Sequence, residues 1–230
     1  MHTQITLTTT LFAVLATASP TWTFHVKPYL SARSGIAARA VAIAAAEITA
    51  DQILAISPKS STCDNPPAEG ECATAEQAAP FISDSFTTYG IDNVAEQAAL
   101  ISLMAFESGD FKYNRNHFPG VAGQGTRNMQ SPTFNDKYAS SLTELADAYA
   151  SAEGDVAAVL DLLLSDEKYD FGSAAWFLTT QCSESVREAL QTGSEEGWEG
   201  YVSGCVGTTV TDDRKAYWSR AVEALGVSSS

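Results

Sequence analysis

Ile101 to Ser108 reads ISLMAFES, an apolar helical run ending on a carboxylate, and Asn128 to Pro132 reads NMQSP after a glycine-rich stretch. The first run decides the fold class. Asp92 is placed to cap a helix from Asn93 to about Glu107. Within it, Leu100, Met104 and Glu107 recur at i, i+4 and i+7, so the carboxylate shares a face with large apolar side chains. A carboxyl group delivered by such a helix is expected to hold its proton more tightly than usual, as a general acid must. The plainer reading makes Glu107 a helix C-terminal carboxylate paired with Arg115 or Arg127. A negative charge at that end opposes the helix dipole by ~0.3–1 kcal/mol, which makes an idle glutamate there unfavourable.

Outward from this run the pattern stays helical. Thr74-Ala-Glu-Gln77 is a capping box that opens a helix through Phe86, and Gly90 ends that segment. Residues 109–128 carry Pro119 and glycines at 109, 120, 123 and 125 without periodicity, the mark of a long functional loop. Ser131-Pro132 is suited to start another helix, with proline in its first position. Ser141-Leu-Thr-Glu144 is a second capping-box pattern. Helices are expected over Asp155–Leu164, Ser173–Thr180, Ser183–Gln191 and Thr211–Leu225, the last anchored by Tyr217, Trp218 and Val222. Alternating strand patterns and internal repeats are lacking, so the chain reads as mostly α.

The 230 residues suffice for one domain with a real core, and the net charge of −15 is spread along the chain. Such a surface disfavours nucleic acid and anionic membrane, both polyanions, and the expectation is a monomer acting on a neutral or cationic polymer. Thr6 to Thr17 is apolar-leaning and Ala16-Thr17-Ala18 is a small-x-small site, so residues 1–18 read as a secretory signal. Residues 19–57, with the alanine-rich run Ser34–Ile56, form a separate helical or pro-segment, leaving 58–230 as the main domain. Four cysteines suit an extracellular protein. Three pairings are possible; Cys63 with Cys72 and Cys182 with Cys205 are favoured because each brackets a glycine- or proline-containing segment that needs stapling. Zinc is disfavoured by the absence of CxxC spacing and clustered histidines, and neither metal nor cofactor is expected.

The sequence Glu107-Ser108 followed by Met129-Gln130 and Pro132 resembles the catalytic core of goose-type lysozymes and soluble lytic transglycosylases, over about 26 residues. The usual G-L-M-Q reads Arg127-Asn128-Met129-Gln130 here, and the third motif of those enzymes has no clean counterpart. The resemblance implies a lysozyme-like helical domain of a secreted, fungal-type member. It implies cleavage of peptidoglycan or another N-acetylhexosamine polymer, with Glu107 as general acid/base and Gln130 orienting substrate or carboxyl. Asp110 and Asp170 are candidates for a second catalytic carboxylate, although Asp170 equally suits a helix N-cap. Ser108, Tyr113, Asn116, Phe118, Met129 and Gln130 are expected to line the substrate groove. Trp176 and Phe177 are assigned to the core. The acidic surface keeps two alternatives open: a chitosanase or chitinase of the same superfold, and a non-catalytic carbohydrate-binding secreted protein.

Overall fold

A computed structural model describes residues 47–228; the expected signal and most of segment 19–57 lie outside the described residues. Among the described residues ten α-helices and no strand are found, with two isolated bridges, Arg115 to Gly125 and Gly125 to Gln130. The helices are α1 (Ala50–Ile56), α2 (Ala75–Tyr89), α3 (Val94–Glu107), α4 (Pro132–Ser141), α5 (Ala146–Ala152), α6 (Val156–Leu163), α7 (Glu167–Gln181), α8 (Glu184–Gln191), α9 (Glu195–Gly200) and α10 (Asp212–Leu225). A π-helical turn, Tyr201–Val206, follows α9 directly.

The centre is α3. Every residue from Ala95 to Ala105 is buried, because the sequence offers alanine, leucine, isoleucine and methionine on all sides rather than along one stripe. Its N-cap is Asn93, one residue later than expected, with Oδ1 accepting from the amides of Ala95 and Glu96 at 2.8 and 3.3 Å. Glu96 is buried in the first turn and paired with Arg187 of α8, whose Nε lies 2.8 Å away. The capping box at Thr74 forms as expected, since Thr74 accepts from the Gln77 amide and the Gln77 side chain accepts from the Thr74 amide.

Around α3, α10 and α1 pack together, α2 lies along α7, α4 along α6 and α8 along α9. Ile53 and Ile56 are fully buried in the main core, so the end of the 19–57 segment is part of the helical body. A second cluster forms where Tyr138, Val159, Leu163, Trp176 and Phe177 meet. The disulfides are Cys63–Cys72 and Cys182–Cys205, the local pairing. The second tethers the end of α7 to the π-helical turn.

Two expectations fail locally. Ser141 does not cap a helix; it is the last residue of α4 and its hydroxyl donates to the Tyr138 carbonyl at 2.7 Å. The α7 helix begins six residues before Ser173, with Asp166 as N-cap, so Asp170 is a buried first-turn residue and not a cap.

Candidate functional site

Glu107 ends α3 beside a cavity of about 220 Å³ whose wall includes Leu103, Gln124, Met129, Gln130, Phe134, Phe177, Val206 and Arg214. Its partner is neither Arg115 nor Arg127. Arg214, in the first turn of α10, places Nη2 2.6 Å from Glu107 Oε1, with both side chains mostly buried. Glu107 is therefore one half of an ion pair and not an isolated carboxyl in apolar surroundings. Arg214 Nη1 donates to the Thr209 carbonyl at 3.1 Å, and the guanidinium lies 4.5 Å over the Phe106 ring. Its third nitrogen, Nε, is buried with no acceptor among the described residues.

The opposite rim comes from the loop between α3 and α4, which is held by side chains throughout. Thr126 and Met129 adopt positive φ, of 62° and 52°. The turn they make is locked by carboxamides: Asn128 Oδ1 accepts from Thr126 and Ser173, and Gln130 Nε2 donates to Asn135 Oδ1 at 3.0 Å. Gly125 is needed here, because a Cβ would meet the Asn114 carbonyl oxygen at 2.5 Å.

Arg127 anchors the loop from beneath. It is wholly buried and donates from Nη1 to the carbonyls of Glu71, Phe111 and Tyr113. Its Nε lies 2.8 Å from Asp170 Oδ2, yet this N–H makes no aligned hydrogen bond, so the contact is Coulombic. Burial pushes the Asp170 carboxyl up to about 6, against the opposing pull of Arg127. Asp170 Oδ1 and Asn114 Oδ1 are both buried without a donor among the described residues.

The sequence-derived site residues thus separate. Glu107, Met129 and Gln130 share the cavity. Asp170 is sealed beneath the loop, and Asp110 opens into a different cavity with Tyr217. Ser108 is fully buried and serves the helix end, donating to the Met104 carbonyl and accepting from the Phe111 amide. Asn116 accepts from the amides of Gly120 and Val121, which shapes the loop tip. Tyr113 packs against His117, and Phe118 is 82% exposed; neither lines the Glu107 cavity. Arg214 was missed because 107 residues separate it from Glu107 and no local pattern links them.

No protein-family profile matches the chain. No solved structure matches it either. It is similar to a protein of Fusarium oxysporum (strain Fo5176) described as a bifunctional dioxygenase (DOX)-epoxy alcohol synthase (EAS), at 50% identity over 157 residues. That stretch is 66% of this chain and 12% of the relative, so the chain spans about an eighth of the curated protein that it matches. This finding corrects the resemblance to the lysozyme-like superfamily and the glycoside-cleaving function drawn from it, together with the chitosanase, chitinase and carbohydrate-binding alternatives. The relative is named for dioxygenase and epoxy alcohol synthase chemistry, not for glycoside cleavage. The geometry agrees with the correction: the E-S and M-Q motif is short, Glu107 is ion-paired, and neither candidate second carboxylate faces it.

A dioxygenase needs a group that activates molecular oxygen. Among the described residues no three histidine, cysteine or carboxylate side chains group as metal ligands. His117 is engaged with Glu71 at 2.8 Å, and the four cysteines are in disulfides. The described residues therefore offer no three-ligand metal centre for such a group.

Proposed function

We propose that this chain is a ligand-binding helical module that serves an oxygenating enzyme, and that its Glu107–Arg214 cavity receives an oxygenated small molecule of the epoxy alcohol class. The observation that carries the reading is the buried Arg214 Nε with no acceptor at the cavity wall. A buried donor left unpaired costs ~1–3 kcal/mol, and a ligand oxygen would remove that cost. An epoxy alcohol offers an acceptor-only epoxide oxygen for Arg214 and a hydroxyl for the second oxygen of Glu107. Its hydrocarbon part would lie on Leu103, Met129, Phe134 and Phe177. The similarity to a dioxygenase-epoxy alcohol synthase supports the choice of ligand class. The two disulfides support the secreted location expected from the N-terminal sequence.

The test is a titration of isotope-labelled protein with 2,3-epoxyhexan-1-ol, with hexan-1-ol as control, followed by NMR. Saturable shifts at Met129, Gln130 and Val206 are expected for the epoxy alcohol. Arg214→Lys keeps a positive charge opposite Glu107 but lacks the Nε donor, and should weaken binding about tenfold. Absence of saturable shifts, or undiminished binding by Arg214→Lys, would sink the reading.

A further inference from the structure

A larger cavity, of about 550 Å³, lies along another stripe of α10, where Asp213, Ala216, Tyr217 and Arg220 follow i, i+3, i+4, i+7. Its volume is within the range of ligand sites, ~300–1,000 Å³. The buried polar group of its wall is Asp110, only 5% exposed. Gly109, Asp110 and Phe111 all adopt left-handed φ, of 59°, 62° and 60°, and in this turn the carboxylate enters the cavity. One oxygen, Oδ1, accepts from the Ser57 hydroxyl at 2.6 Å and the Tyr217 hydroxyl at 3.0 Å. Among the described residues no hydrogen bond is donated to the other oxygen, Oδ2. Burial and the adjacent Asp110 carboxylate push the Tyr217 phenol up to about 12, so it remains a donor to Oδ1.

Charges of both signs surround this carboxylate. Lys59 and Asp213 are exposed at the rim and make no ion pair among the described residues. Arg220 lies 4.3 Å over the Tyr217 ring, donates from Nε to the Ile56 carbonyl at 2.6 Å and interacts with the Tyr217 hydroxyl. Phe106 meets Tyr217 edge-on at 5.6 Å and supplies an apolar wall. A simple anion here would face buried Asp110. A simple cation would face Lys59 and Arg220. An apolar ligand would bury Oδ2 without a donor, which is unfavourable for a carboxylate.

We propose that this cavity binds a zwitterionic small molecule of amino-acid or dipeptide size. The ammonium sits on Asp110 Oδ2, with Asp213 at the rim. The carboxylate is held by Lys59 and the outer guanidinium nitrogens of Arg220, and the side chain rests on Phe106 and Tyr217. This site is independent of the Glu107 cavity.

The experiment is calorimetric titration of the full chain with phenylalanine and glycyl-phenylalanine, beside N-acetyl-phenylalanine and phenylalanine amide. Saturable binding by at least one zwitterion is expected, with each capped form weaker by about tenfold or more, because each lacks one charge-assisted contact. Lys59→Ala, an exposed change that leaves folding intact, should weaken the zwitterion and not the amide. Asp110→Asn retains an acceptor for Ser57 and Tyr217 and should abolish the preference for a free ammonium. No binding of either zwitterion up to ~10 mM, equal binding of the capped forms, or unchanged affinity in Lys59→Ala would each overturn the proposal.

Discussion

At the residue scale, the charged side chains that matter act through partners distant in sequence. Glu107 is legible from its helix, but its setting depends on Arg214, which arrives from α10. Asp170 was read as a candidate catalytic carboxylate or a helix N-cap; in the fold it is a buried carboxyl against Arg127. Its pH behaviour follows from the direction of the shift. The folded pKa, about 6, lies above the ordinary value of 3.8, so the associated stability is fully present below about pH 3.8 and is lost as pH rises through 6. Thermal unfolding of wild type and Asp170→Asn from pH 3 to 8 should show the wild type losing ground to the variant across pH 4–6. A parallel pair of curves would contradict this account of Asp170.

At the scale of elements, local rules served well where a cap and an apolar run coincide. The Thr74–Gln77 box forms as read, and Ser183, expected to open a helix, caps α8 from the position just before it; each hydroxyl accepts from the amide three residues on. They failed where packing overrides a pattern. Ser141 and Glu144 match the capping-box spacing, yet α4 continues through Ser141 because Tyr138 and Ala139 are buried in the second core cluster. The short α9 gave little signal, being three glutamates, two glycines and a tryptophan; it exists because Trp198 stacks on Trp218 at 5.7 Å. Its close approach to α8 requires Gly197, where a Cβ would stand 2.1 Å from the Ala189 carbonyl oxygen. Gly197→Ala must separate the two helices and should cost ~1–3 kcal/mol or more in urea denaturation. A neutral result would mean that α8 and α9 move apart freely.

For the whole molecule, the Cys182–Cys205 bridge ties α7, in both clusters, to the π-helical turn over a separation of 23 residues. Replacing both cysteines with serine should lower stability by about 3 kcal/mol through the added freedom of the unfolded chain, measured as the shift in denaturant midpoint at constant slope. An increase in slope would instead indicate a change in unfolded-state compactness.

Helical class, the central apolar helix, the two local disulfides and the position of Glu107 were determined by sequence alone, because each depends on periodicity, caps or cysteine spacing within a few turns of chain. Which charges meet was decided only by tertiary structure. The Glu107–Arg214 pair, the Arg127–Asp170 anchor and the separation of Asp110 into another cavity each join residues more than forty positions apart. The short E-S and M-Q pattern placed three residues at one cavity correctly and still led to the wrong chemistry. A motif specifies side chains, whereas reactivity depends on the charges that folding brings beside them.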